Sequence, residues 1–251
     1  MRYFIYFAYN GSAYRGWQIQ PNGISVQEVF TNSLRVILRE ETVITAAGRT
    51  DAGVHAKKMV AHFDAERTDL DTAEFIRQLN SILPKDIAVQ KIVPVKEDAH
   101  ARFDALTRKY QYHIYVGKDV FKDKLAVRMY HPLDFERMNE AALKLLEYRD
   151  FTSFSKLHTD TKTNHCKVTQ ANWQLHGDEW VFTIEADRFL RNMVRAIVGT
   201  LFDVGMQKMS VNDFCRIIEA KDRCQAGVSV PPHGLYLVDV CYPEDIFVSS
   251  F

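Results

Sequence analysis

Residues 46–58 read AAGRTDAGVHAKK, between the strand-like flanks TVITA and MVAHFDA. Two residues such as Asn-Gly or Asp-Gly are enough to close a hairpin. This link is longer, with Arg49, Thr50 and Asp51 between Gly48 and Gly53 and His55 just beyond. Asp and Gly are ordinary turn residues, but glycines also let a backbone approach a ligand closely. An arginine beside an aspartate favours the ionised carboxylate. A lone ionised aspartate suits nucleophilic or base chemistry at an electron-poor carbon. Ordinary glycoside hydrolysis needs a paired second carboxylate, and this segment has none.

A second set of residues lies in ADRFLRNMVRAIVGTL. Leu190, Val194, Ile197 and Leu201 form a core stripe at helical spacing, and Arg188, Arg191 and Arg195 repeat on another face. Such a stripe is either a solvated face or a phosphate-facing one, and the lack of intervening acids favours phosphate. Arg102, Arg108 and Lys109 add charge, while Tyr14, Arg15 and Trp17 supply surface for stacking on bases. The whole chain is neutral, with 32 basic and 32 acidic residues. Neutrality argues mildly against a nucleic-acid partner and leaves room for a locally basic face.

The 251 residues allow one large domain or two modest ones. Cys166, Cys215, Cys224 and Cys241 are widely spaced without a Cys-x-x-Cys pair, which suits a reducing cytoplasm. His165 and Cys166 with the later cysteines lack metal-ligand spacing, so no metal is expected. No stretch approaches the ~20 apolar residues of a membrane span. MRYFIYFAYNGS reads as a buried first strand rather than a signal peptide.

These residues need elements to hold them. RYFIYFAY reads as a strand, and Ser25 with Glu28 forms a capping box for a helix bearing Val26, Val29, Phe30, Leu34, Ile37 and Leu38. TVITA and KKMVAHFDA are strands around the opening motif. Asp71 and Glu74 start a helix that Pro84 ends, and DIAVQKIVPV follows as a strand. The order is βαββαβ, the split βαβ unit. The second half repeats it less cleanly. RKYQYHIYV is a strand with Tyr110, Tyr112, Ile114 and Val116 on one face, and Asp134 caps a helix. CKVTQANWQLH and EWVFTIEA pair across His176-Gly177-Asp178. Asp187 caps a helix running from Arg188 toward Gly205, VNDFCRIIEA is a further helix, and LYLVDVCY is the last strand. The boundary falls within residues 97–107, dividing the chain into 1–104 and 105–251.

YRGWQIQPNGISVQE, GRTDAGVHA, HARFDALTRKYQY, FLRNMVRAIVGTL and GLYLVDVCYP, in this order, resemble the tRNA pseudouridine synthase A family over nearly the whole chain. The resemblance implies an α+β fold of two ferredoxin-like (βαββαβ) halves, with mainly antiparallel sheets around a central cleft. It implies a cytoplasmic homodimer without cofactor that isomerises uridine to pseudouridine in the anticodon stem-loop of tRNA, at positions 38, 39 and 40. Asp51 matches the catalytic aspartate and Arg49 its companion. Tyr110 matches the tyrosine that stacks on the target base, Arg195 the basic residue that pairs with the aspartate, and Leu235 the apolar lining of the uracil pocket. Arg188, Arg191 and Arg15 are left as contacts to the RNA backbone. Asn10-Gly11-Ser12 stands where the family commonly has Asp-Gly-Thr, and Lys109 where Thr is common. Residues 155–167 match no pattern, so His158 and His165 carry no role. Two other classes compete: a hydrolytic base glycosylase, which would release free uracil, and a silent RNA-binding module, which would bind tRNA without isomerising it.

Overall fold

In Arg2–Tyr9, strand β1, side chains alternate between two faces. Tyr3, Ile5, Phe7 and Tyr9 form one buried face. Ser25 ends the following loop and starts helix α1 (Val26–Leu38) by accepting the Glu28 backbone N–H at its Oγ, 3.2 Å away. Val26, Phe30 and Leu34 of α1 are buried, and the Phe30 ring centroid lies 4.6 Å from that of Phe7. Helix α1 therefore covers the odd-numbered face of β1. Next come β2 (Thr45–Ala46), β3 (His55–Asp64), α2 (Ala73–Ile82) and β4 (Ile87–Val95). Strand pairing within TVITA is confined to its last two residues. Thr72, not Asp71, caps α2, because its Oγ1 accepts the Phe75 N–H.

The remaining elements are β5 (Thr107–Val116), β6 (Val127–Met129), α3 (Phe135–Lys144), β7 (Val168–His176), β8 (Glu179–Ala186), α4 (Met193–Gly205), α5 (Val211–Ala220) and β9 (Leu235–Cys241). With nine strands and five α-helices among the described residues, the fold is α+β. The computed structural model describes residues 1–156 and 163–248. His158 lies outside the described residues. His165, inside them, is exposed.

Among the described residues, 1–106 and 236–248 form one compact unit, and 107–156 with 163–235 form another. In the first unit the strand order is β4-β1-β3-β9, with β2 beside β3. Strand β1 runs antiparallel to both neighbours, whereas β9 joins β3 in parallel through His55↔Tyr236 and Ala56↔Leu237. On the even-numbered face of β1, Phe4 is fully buried, with the Tyr242 ring 4.9 Å and the Phe247 ring 6.4 Å away.

In the second unit β8 lies antiparallel between β5 and β7, and β6 pairs in parallel with β5. Gly177 adopts φ +64° in the β7–β8 turn, a conformation open to glycine at little cost. Val116, expected on the apolar face of β5, is 69 % exposed at the strand's end. Asp134 caps α3, and Asn139 fixes that helix to β7 by bonding both the N–H and the carbonyl of Trp173.

The helix expected from Arg188 begins instead at Met193. Its N-cap is Asn192, with φ +66°. Asp187 does not cap it: Asp187 Oδ1 accepts the backbone N–H groups of Lys167 and Arg188, each at 2.7 Å. A capping side chain must instead accept from the second or third helical residue. Arg188 and Arg191 therefore precede the helix, only Arg195 lies on it, and the three share no helix face. Among the described residues no helix is long and apolar enough to cross a membrane.

Candidate active site

The 46–55 loop connects β2 to β3, and its anchors come from elsewhere in the first unit. Thr50 is buried, Asp51 half-buried and Arg49 exposed. Thr50 Oγ1 shares a 2.8 Å hydrogen bond with the Tyr9 hydroxyl, and its carbonyl accepts the Trp17 N–H at 3.2 Å. Beyond it, the Val54 N–H donates to the Asp51 carbonyl at 3.1 Å, closing a turn in which Gly53 has φ +79°. The Gly53 N–H donates to the Tyr14 carbonyl at 3.3 Å. Asp51 thus stands on a turn whose backbone is fixed on both sides.

The β1–α1 loop clasps that turn closely enough to require glycine. A Cβ on Gly16, whose φ is +90°, would stand 2.5 Å from the Thr50 carbonyl oxygen and 3.0 Å from the Asp51 carbonyl carbon. A Cβ on Gly11 would overlap the Val54 carbonyl oxygen at 2.0 Å. The Gly11 N–H donates to His55 Nδ1 at 3.1 Å, and the His55 ring stacks on Tyr236 at 4.6 Å. His55 is therefore a positioning residue that ties the loop's exit to β9. Tyr14 completes the clasp by donating its hydroxyl to Asp86 Oδ1 at 2.6 Å. Burial, then Asp86, holds that phenol protonated by raising its pKa. Arg15 lays its aliphatic stem across Gly23, where an added Cβ would meet Arg15 Cγ at 2.7 Å.

Gly11, Gly16, Tyr9, His55 and Tyr236 were missing from the sequence-derived site. Gly11 and Gly16 stand in NGSAYRGW and His55 in GRTDAGVHA, but no local pattern marks the contacts they make. Leu235 directly precedes Tyr236 at the start of β9.

In the second unit, Tyr110 is half-buried on β5 opposite Ile184 of β8. The Phe189 ring meets it edge-on at 5.1 Å. Arg108 Nη1 donates to the Asp187 carbonyl at 2.8 Å, and Lys109 pairs with Glu185 at 2.8 Å. These contacts bring the segment carrying Arg188 beside Tyr110. Arg188 is half-buried and Arg191 exposed. Arg195, on the first turn of α4, donates Nε to the Val230 carbonyl at 2.7 Å while its own carbonyl accepts the Val230 N–H. Close packing holds the 227–234 segment in place. The Gly227 N–H donates to Thr200 Oγ1, the Tyr112 hydroxyl donates to the Pro231 carbonyl, and a Cβ on Gly199 would overlap the Val228 carbonyl oxygen.

Among the described residues no group of three or more His, Cys, Asp or Glu side chains is placed to hold a metal. Burial pushes the Cys166 thiol up to about 12, so it stays protonated.

An aspartate on a glycine-clasped turn of an α+β fold defines a class that comparison makes specific. The family model described as tRNA pseudouridine synthase matches residues 5–104 and 141–243, and the chain belongs to that family. It is 58 % identical to tRNA pseudouridine synthase A of Parabacteroides distasonis over 246 residues, covering 98 % of each chain. It is also 58 % identical to the protein of that name from Bacteroides fragilis, again over 98 % of each. Identity to the Porphyromonas gingivalis protein is 55 %, over 98 % of this chain and 99 % of the relative.

Proposed function

We propose that Asp51 carries out the family's reaction in this chain, on uridines 38, 39 and 40 of the tRNA anticodon stem-loop. The enzyme is an isomerase that converts uridine to pseudouridine in tRNA. The bond from ribose C1′ to N1 of uracil breaks, the base turns, and C1′ rejoins at C5. The C5 proton leaves and N1 gains one, so atoms balance without a donor, water or redox partner. A carboxylate has two routes to this outcome, attack at C1′ or removal of the C2′ proton to give a glycal. Both require the ionised form.

The observation that carries the assignment is the clasped turn. Asp51 is half-buried on a backbone bonded to the Tyr14 and Trp17 segment, so the root of its side chain is held in one place. Preorganisation of this kind converts binding energy into rate. Arg49, exposed two residues earlier, accompanies the carboxylate. Tyr110 stacks on the target base, Arg195 pairs with Asp51, and Leu235 lines the uracil pocket. Arg188, Arg191 and Arg15 contact the RNA backbone. The target must leave its helix at a cost of a few kcal/mol, which those contacts offset.

In this reading residues 1–104 carry the catalytic loop, and 105–251 complete the substrate contacts. The order β1-α1-β2-β3-α2-β4 supports a ferredoxin-like plan for the first of these. The enzyme works in the cytoplasm as a homodimer and needs no cofactor. Mapping pseudouridine in tRNAs that keep uridine at only one of positions 38, 39 and 40 tests the substrate assignment. Each position should be modified. Modification elsewhere, with all three replaced by cytidine, would contradict it.

A further inference from the structure

On the even-numbered face of β1, opposite the face that α1 covers, the first unit's sheet carries a cluster of lysines and tyrosines that the site described above does not use in full. Two bulges lie beside β1, one on the β3 side opposite Ala8 and one on the β4 side between Tyr6 and Phe7. Phe7 pairs with Met59 and Tyr9 with Ala56, so Lys57 and Lys58 of β3 together oppose Ala8. On the other side Tyr6 pairs with Lys91 and Phe7 with Val89, leaving Gln90 of β4 as the extra residue. The Gln90 Nε2 donates to the Lys57 carbonyl at 3.1 Å and bridges the two bulges. A bulge re-aims the side chains around it. Here the Lys58 and Lys91 ammonium groups lie 6.0 Å and 5.9 Å from the Tyr6 ring centroid, and that of Lys57 lies 5.0 Å from Tyr236.

The three lysines are not equivalent. Lys58 Nζ stands 2.6 Å from Asp239 Oδ1. Burial pushes the Asp239 carboxyl up, but the Lys58 hydrogen bond and charge outweigh it and hold the carboxyl below its ordinary value. Lys57 and Lys91 are exposed, and neither forms an ion pair among the described residues. An ammonium that rests on an aromatic ring keeps its charge available while the ring orders its stem. Burial pushes the Tyr6 phenol up to about 12, so that ring stays neutral beneath its cations. The location also matters, because Lys57 is two residues from His55 and over the Tyr236 ring that stacks on it. A compact point charge suits a phosphate oxygen.

We propose that Lys57 and Lys91 bind the phosphodiester backbone of the substrate tRNA, each neutralising one phosphate. The proposal rests on tRNA being the substrate, not on which residue performs the chemistry. Its test uses Lys57→Gln, Lys91→Gln and the double variant of the full-length protein, with unmodified tRNA titrated from about 50 to about 300 mM KCl. Each single change should weaken binding by about 3–10-fold near physiological salt and make the logarithmic salt slope shallower by about one unit. The double variant should lose about two. Lys118→Gln, an exposed lysine of the second unit, should leave the slope unchanged. Equal slopes for wild type and the Lys57 and Lys91 variants would overturn the proposal, as would a loss no greater than that of Lys118→Gln. Release of C5 tritium from the same tRNA is measured in parallel. If wild type releases none while the slopes still fall, the catalytic reading fails and this one stands.

Discussion

At the scale of single residues, the turn that carries Asp51 depends on atoms that are missing from its neighbours. Gly16 has φ +90° and no room for a Cβ beside the Thr50 carbonyl. Gly16→Ala therefore meets both backbone strain of about 1–3 kcal/mol and a collision that moves the Thr50–Asp51 peptide. The variant should lose turnover by at least about tenfold, because a displacement near 1 Å costs on the order of 100-fold in an oriented reaction. Its tRNA affinity should fall far less. Single-turnover rates and binding curves on the same preparation check this, and an equal loss in both would show that the clasp serves binding rather than orientation. Arg195 is held differently, by the Val230 carbonyl at its Nε. Arg195→Lys keeps the charge but loses the planar fork that makes this bond while leaving other donors available. Single-turnover measurement should find its rate between those of wild type and Arg195→Ala, and full recovery by lysine would reduce the role to charge alone.

At the scale of elements, the arginines separate by position. Arg195 belongs to α4, whereas Arg188 and Arg191 lie in the loop before it, Arg191 in a turn. Alanine at either of the latter two should make the salt slope of tRNA binding shallower by about one unit. An effect confined to turnover would reassign them. The break at Asn192 was hidden in the sequence because Leu190, 4 % exposed, continues the apolar period of Val194, Ile197 and Leu201 into a segment that is not helical. Periodicity reports burial, and the backbone left the helix without leaving the core. Local signals read well elsewhere. Ser25 and Asp134 cap the helices expected of them, and the turn through Gly177 joins the expected strands. The capping box of α5, Ser210 with Asp213, is equally local. GRTDAG was legible as candidate chemistry because its residues are contiguous. What holds them was not: the Gly11 and Gly16 contacts and the His55–Tyr236 pairing join segments far apart in sequence, and no local pattern encodes such a meeting.

At the scale of the whole molecule, one buried histidine sets a pH limit on stability. The His62 Nδ1 accepts the Ala101 N–H at 3.1 Å, which requires an unprotonated nitrogen. Burial, and then the nearby His100, lower its pKa from 6.5 to about 4. The folded value lies below the unfolded one, so the unfolded chain takes up the proton first. Stability is therefore fully present above about 6.5 and falls as pH drops toward about 4. His62→Asn retains an acceptor for Ala101 and removes the titration. Urea midpoints should fall more steeply for wild type than for this variant across that window, and parallel curves would contradict the assignment. The central claim concerns the reaction itself, and Asp51→Asn tests it most directly. A carboxamide keeps the volume but is neither nucleophile nor base. With tRNA carrying C5-tritiated uridine, and tRNA binding measured on the same samples, wild type should release tritium from the target uridines. Asp51→Asn should bind comparably and release essentially none. Release within tenfold of wild type by the bound variant would place the chemistry on another residue.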